Sequence, residues 1–146
     1  MKYIYCIIFL MILLGCDEFD SRLKVYNKSN KRILAECSKD TIIEDSLYYD
    51  LLVTPGIVRP NETISFTYEK WDIYIKNEFQ DSKLHMFIFD YEKLTQYAVY
   101  GKVISRDSLY KRYDLTVDSL EKMNWTITYP YRKLQTFPKV LKLSER

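Results

Sequence analysis

At 146 residues, with 22 Lys and Arg against 20 Asp and Glu, the chain suits one domain with its own core and is too evenly charged to recruit nucleic acid through a global field. With only three glycines and four prolines it offers no flexible or proline-rich linker, which argues against disorder and against a second domain. The aromatic load, 14 Tyr, 7 Phe and 2 Trp, favours pleated, half-buried surfaces over helices.

Met1 and Lys2 give a short positive start, and Tyr3 to Leu14 carry no charge, the layout of a secretory signal. The run stops short of the roughly 20 apolar residues that a spanning helix needs. It closes on Leu13-Leu14-Gly15-Cys16, which looks like a bacterial lipobox, where the cysteine thiol receives a diacylglycerol and the chain is cut just before it. The expected division is a lipoprotein signal peptide over 1–15, a lipidated tether over 16–22 and a single β-rich domain over 23–146. The membrane is then the first partner, held through Cys16, because two or three long acyl chains anchor a protein effectively permanently. Cys6 leaves with the signal and Cys16 is acylated, so Cys37 has no intramolecular disulfide partner and the fold must stand on packing.

Leu23 and Val25 alternate with Lys24 and Tyr26; after "NKSNK", Ile33, Ala35 and Cys37 alternate with Leu34 and Glu36, a pattern that predicts a hairpin. "TISFTYE" predicts a strand with Ile64, Phe66 and Tyr68 on one face, started by a turn at Pro60-Asn61. In "WDIYIKNEF" the spacing of Trp71, Ile75 and Phe79 favours a short helix. "HMFIFD" is apolar without alternation, as in a strand buried on both faces. Asp90 can cap a helix in which Leu94, Tyr97 and Ala98 share a face. "SLYKRYDL" alternates Leu109, Lys111, Tyr113 and Leu115 with Tyr110, Arg112 and Asp114. Thr116 is positioned to cap a second helix with Val117, Leu120 and Met123 on one side, and Asn124 to end it in a left-handed turn. "WTITY" then resumes the sheet, with Trp125 expected buried in the strand and Thr126 and Thr128 on the other face. The sum is a mainly β, antiparallel sandwich-like domain with two or three short helices, α+β being the alternative.

"MFIFD" and "YDLTVDSLEKMNWTITYP", with the lipobox and the Asn27-Lys28-Ser29 turn, resemble a group of small Bacteroidota lipoproteins of unknown function. The resemblance implies a location and carries over no activity, ligand or catalytic residue. In that phylum, acids just behind the lipidated cysteine often mark export to the outer face of the outer membrane. Asp17, Glu18 and Asp20 resemble such a signal, the periplasmic face being the alternative. Asp-Ser/Thr-apolar triplets at Asp40-Thr41-Ile42, Asp45-Ser46-Leu47, Asp107-Ser108-Leu109 and Asp118-Ser119-Leu120 resemble O-glycosylation sites of the same phylum.

Chemistry has little to stand on. His85 is the only histidine, against the Ser-His or Cys-His pair of nucleophilic catalysis and the several ligands of a histidine metal site. Gly56 and Gly101 are the only glycines beyond the signal, so no phosphate-cradling loop exists. No catalytic residue, metal or cofactor is expected, and the chain is not expected to be an enzyme. Two functions remain: an interaction or structural module at the cell envelope, bound to another envelope protein, or a surface glycan-binding accessory. In the second, exposed aromatics would stack on sugar rings. Its candidate contacts are Tyr110 and Arg112, with Tyr74 if its segment is helical.

Overall fold

The structure, a computed structural model, describes residues 19–44 and 48–130. It is mainly β: two mostly antiparallel sheets share the main core, which some of the short helices also line, while the others cover the outer face of the larger sheet. In chain order the elements are β1 (Asp20–Asn27), β2 (Ile33–Ser38), α1 (Tyr48–Leu51), β3 (Ile57–Val58), β4 (Thr63–Tyr68) and α2 (Trp71–Glu78). They continue with β5 (Leu84–Asp90), α3 (Tyr91–Ala98), α4 (Arg106–Leu109), β6 (Tyr110–Leu115), α5 (Val117–Lys122) and β7 (Thr126–Tyr129). The smaller sheet has the order β4-β1-β7 and the larger β3-β2-β5-β6; only the β1–β7 pair is parallel.

The expected hairpin of β1 and β2 does not form: the two strands lie in different sheets. Asn27 is the reason. Its side chain is fully buried at the end of β1, where Oδ1 accepts from the Ser29 N–H (3.0 Å) and hydroxyl (2.6 Å). Its Nδ2 donates to the Lys31 carbonyl (2.7 Å) and the Val58 carbonyl (3.0 Å). These four bonds satisfy the amide completely and turn the chain across the core into the second sheet. Burial agrees, since Ile33, Leu34 and Ala35 are buried in succession, as an internal strand covered on both faces requires.

β1 starts at Asp20, ahead of the Leu23 at which the alternation begins. The three expected helices are present, together with two single-turn segments, α1 and α4, that periodicity could not show because four residues hold barely one turn. Asp90 accepts from the Lys93 N–H (3.2 Å) and Thr116 from the Ser119 N–H (3.2 Å), each capping its helix. In α2, Trp71 and Ile75 are buried, as is Phe79 just beyond it. Asn124 is left-handed (φ 49°), but so is Trp125 (φ 56°), which places the indole just ahead of β7 rather than within it. Trp125 is nevertheless buried beside Ile127, while Thr126 and Thr128 are half-buried on the other face.

β5 organises both cores. Leu84, Met86 and Ile88 face β1 and β4 across the main core, while Phe87 and Phe89 face α1 and α3 in a second one. All six residues from Leu84 to Phe89 are buried, which is why "HMFIF" shows no alternation.

Candidate functional site

The outer face of the larger sheet grades from apolar to charged. Register aligns Leu34, Phe89 and Tyr110 in one row, Glu36, Phe87 and Arg112 in the next, and Ser38, His85 and Asp114 in the third. The first row lies under the helices, with Tyr48 and Leu94 packed in its cluster. The third row is a patch of polar and ionisable groups.

Tyr110 and Arg112 share this face, as the alternation predicts, and each is engaged within the domain. Tyr110 is half-buried, its ring centroid 5.3 Å from that of Phe87 and 5.1 Å from that of Phe89. Arg112 holds Asp114 with two nitrogens (Nε to Oδ1 3.0 Å, Nη2 to Oδ2 3.2 Å) and donates to the Thr41 carbonyl, fastening the 39–44 loop to the sheet.

His85 is 2% exposed and lies between two carboxylates. Nδ1 is 2.8 Å from Asp114 Oδ1, and Nε2 is 3.4 Å from Asp81 Oδ1. Desolvation pushes the Asp81 carboxyl up, but the Lys83 backbone N–H, the neighbouring His85 and the Lys83 ammonium together outweigh it and hold the group below the ordinary carboxylate value. Glu36, half-buried one row away, is pushed above its ordinary value by desolvation. On the opposite face of β2, burial and then the Glu36 charge raise the Cys37 thiol, which suppresses the reactive thiolate.

Ser38, His85 and Asp114 are thus a serine, a histidine and an aspartate on three adjacent strands. They do not form a nucleophilic relay. The Ser38 hydroxyl accepts from the Asp40 N–H (3.0 Å), and both imidazole nitrogens face carboxylates. The arrangement ties β5 to β6 and to the turn after α2. The apolar strand marks His85 as structural; Asp81, four residues earlier, and Asp114, found only through the β5–β6 register, escaped sequence reasoning.

A second cluster gathers at the start of β1. Asp20, one of the expected export acids, is built into the fold: its carboxylate accepts from the Trp71 N–H (3.1 Å) at the start of α2 and pairs with Arg22 (2.8 Å). Arg22 also pairs with Asp72 (2.8 Å) and lies 3.9 Å over the Trp125 ring. Nearby, Tyr74 is half-buried and stacks on Tyr68 with centroids 3.7 Å apart, while Lys39 caps the Tyr74 ring and binds Glu78 (2.7 Å). Cys16, Asp17, Glu18 and the Ser46 triplet lie outside the described residues. Thr41 and Ser108 are exposed; Ser119 is half-buried, its hydroxyl 2.9 Å from that of Thr116.

Among the described residues, no group of His, Cys, Asp and Glu has the geometry to hold a metal ion, and no helix is long and apolar enough to cross a membrane. No family model, curated protein or solved structure matches the chain.

Proposed function

We propose that the chain is a lipoprotein anchored through Cys16 in the outer membrane, on the cell surface, where its domain serves as a non-enzymatic interaction module of the envelope. The observation that carries the reading is Cys16 itself, placed directly behind an unbroken apolar run and four residues ahead of the first strand. At about 3.5 Å per extended residue, a link from Cys16 to Asp20 spans no more than about 14 Å, so the domain lies against the bilayer that holds it. Such a domain meets its neighbours by position rather than by diffusion.

The chemistry of the best polar cluster supports a binding or structural role. His85 is buried and engaged on both nitrogens, Arg112 is spent on Asp114 and a loop carbonyl, and Cys37 is held as a thiol. The glycan-binding alternative draws its support from the Tyr68–Tyr74 stack, because Tyr68 is 38% exposed beside the Lys39–Glu78 pair whereas Tyr110 is half-buried against Phe87 and Phe89.

Labelling of cells with a fatty acid tests the anchor. Wild type takes up the label and is cleaved, and Cys16→Ser stays unlabelled at precursor length. A Cys16→Ser chain that is still cleaved and labelled overturns the lipoprotein reading.

A further inference from the structure

The backbone N–H and C=O groups along a sheet edge recruit another strand unless the edge is short, charged, broken by proline or covered. The two sheets have four edges: β3, β6, β4 and β7. Three are blunted. β3 is two residues long, β7 has four residues and runs into Pro130, and β6 carries Lys111, Arg112 and Asp114 within six residues. β4 is built differently: "TISFTY" is six residues without charge, proline or glycine, and among the described residues only β1 pairs with it. Its apolar cover is incomplete as well. Ile64 and Phe66 pack against the main core yet are only half-buried, whereas Leu23 and Val25 opposite them on β1 are 0% exposed.

The ladder decides which groups point outward. The Asn27 N–H donates to the Glu62 carbonyl (2.9 Å), and counting two residues at a time makes Val25 with Ile64 and Leu23 with Phe66 the hydrogen-bonded pairs. The N–H and C=O of Thr63, Ser65 and Thr67 therefore face away from β1.

We propose that this edge joins a second copy of the chain, β4 running antiparallel to β4, with Ser65 opposite Ser65 of the partner subunit and Thr63 opposite Thr67 of the partner subunit. The register follows from the strand's own symmetry. It makes all three outward residues hydrogen-bonded pairs, about six backbone bonds in all. It sets hydroxyl residues opposite hydroxyl residues on the solvent face, a favourable cross-strand combination, and completes the cover of Ile64 and Phe66 on the core face. At the flanks Glu62 falls opposite Tyr68 and Asn61 opposite Glu69, so no like charges meet. A shift of two residues either way brings Asn61 or Glu69 into the ladder and loses this match. The two small sheets become one continuous six-stranded sheet.

Oxidative crosslinking of the full chain in its native membranes tests this pairing. Ser65→Cys should give a disulfide-linked dimer on a non-reducing gel, whereas Glu121→Cys, exposed on α5, should give none above wild type. Adding Thr63→Lys and Thr67→Lys to Ser65→Cys sets lysine opposite lysine in both flanking pairs and should cut the dimer about tenfold; Thr63→Lys with Thr67→Glu sets opposite charges together and should restore it. Both threonine side chains are exposed, so circular dichroism melts of these variants should match wild type. A Ser65→Cys dimer no stronger than that of Glu121→Cys overturns the proposal. So does a dimer indifferent to the paired lysines, or capture of a different protein in place of a second copy.

Discussion

Asn27 and Glu36 show two ways of burying a polar side chain. Asn27 has a partner for every donor and acceptor it uses, so its burial costs little and fixes the path between the sheets. Asn27→Ala would take the donor from the Val58 carbonyl and the acceptor from the Ser29 N–H, at about 1–3 kcal/mol for each group left unsatisfied, while the Lys31 carbonyl keeps the Ser29 hydroxyl. Urea denaturation should show a midpoint well below wild type, and an unchanged midpoint would mean that the crossover does not depend on this amide. Glu36 is half-buried, and desolvation raises its carboxyl above the ordinary value, so the fold favours its neutral form. The stability linked to that neutral form is fully present below the unfolded value of about 4.3 and is lost as pH rises through the folded one. Glu36→Gln removes the loss. At pH 7 the variant should melt above wild type, with the difference closing by about pH 4; a difference independent of pH would point to packing instead.

At the scale of elements, the junction of α5 and β7 gathers several interactions in a few residues. Leu120 accepts from the Trp125 N–H (2.7 Å), two successive left-handed residues reverse the chain, and the Trp125 carbonyl accepts from the Lys24 N–H (2.8 Å) to start the parallel pairing with β1. Trp125 is 6% exposed with Arg22 over its face. Trp125→Ala should cost about 3–5 kcal/mol, a large part of the roughly 5–15 kcal/mol that holds a domain together, and should leave the chain unfolded or nearly so by calorimetry. A melt within a degree or two of wild type would show that β7 seats without the indole. Local signals made most elements legible. Asp90 and Thr116 announce their caps, Trp71, Ile75 and Phe79 their helical face, and "MFIF" its double burial. Pairing was not legible where a side chain acts at a distance. Nothing in "NKSNK" says that Asn27 reaches Val58, so adjacency in sequence wrongly suggested a hairpin. The polar site failed to show for the same reason, because Asp114 meets His85 only through register, 29 residues away.

For the whole molecule, the start of β1 is where the proposed anchor would meet the fold. Asp20 has two assignments that act on different properties: as one of three acids behind Cys16 it belongs to the proposed export signal, and as the acceptor for the Trp71 N–H it seats α2 on the smaller sheet. Lys70, the residue preceding α2, makes no side-chain cap of its own, so this distant carboxylate takes that place. Losing such a cap costs about 1 kcal/mol, and the Arg22 pair, with Arg22 41% exposed, adds at most a fraction more. Replacing all three acids together would therefore confuse misfolding with misrouting, and the roles must be separated. Asp17→Ala with Glu18→Ala, Asp20 kept, should leave the melting temperature at wild type and reduce digestion by protease added to whole cells. Asp20→Ala alone should lower the melting temperature by roughly 4 °C, the shift that about 1 kcal/mol produces in a domain of this size. Asp20→Asn, whose side-chain oxygen can still accept from the Trp71 N–H, should recover most of that loss without restoring the charge. If the Asp17 and Glu18 pair changes nothing at the cell surface, export does not read those two acids; if Asp20→Ala melts like wild type, α2 is seated by Trp71 and Ile75 alone.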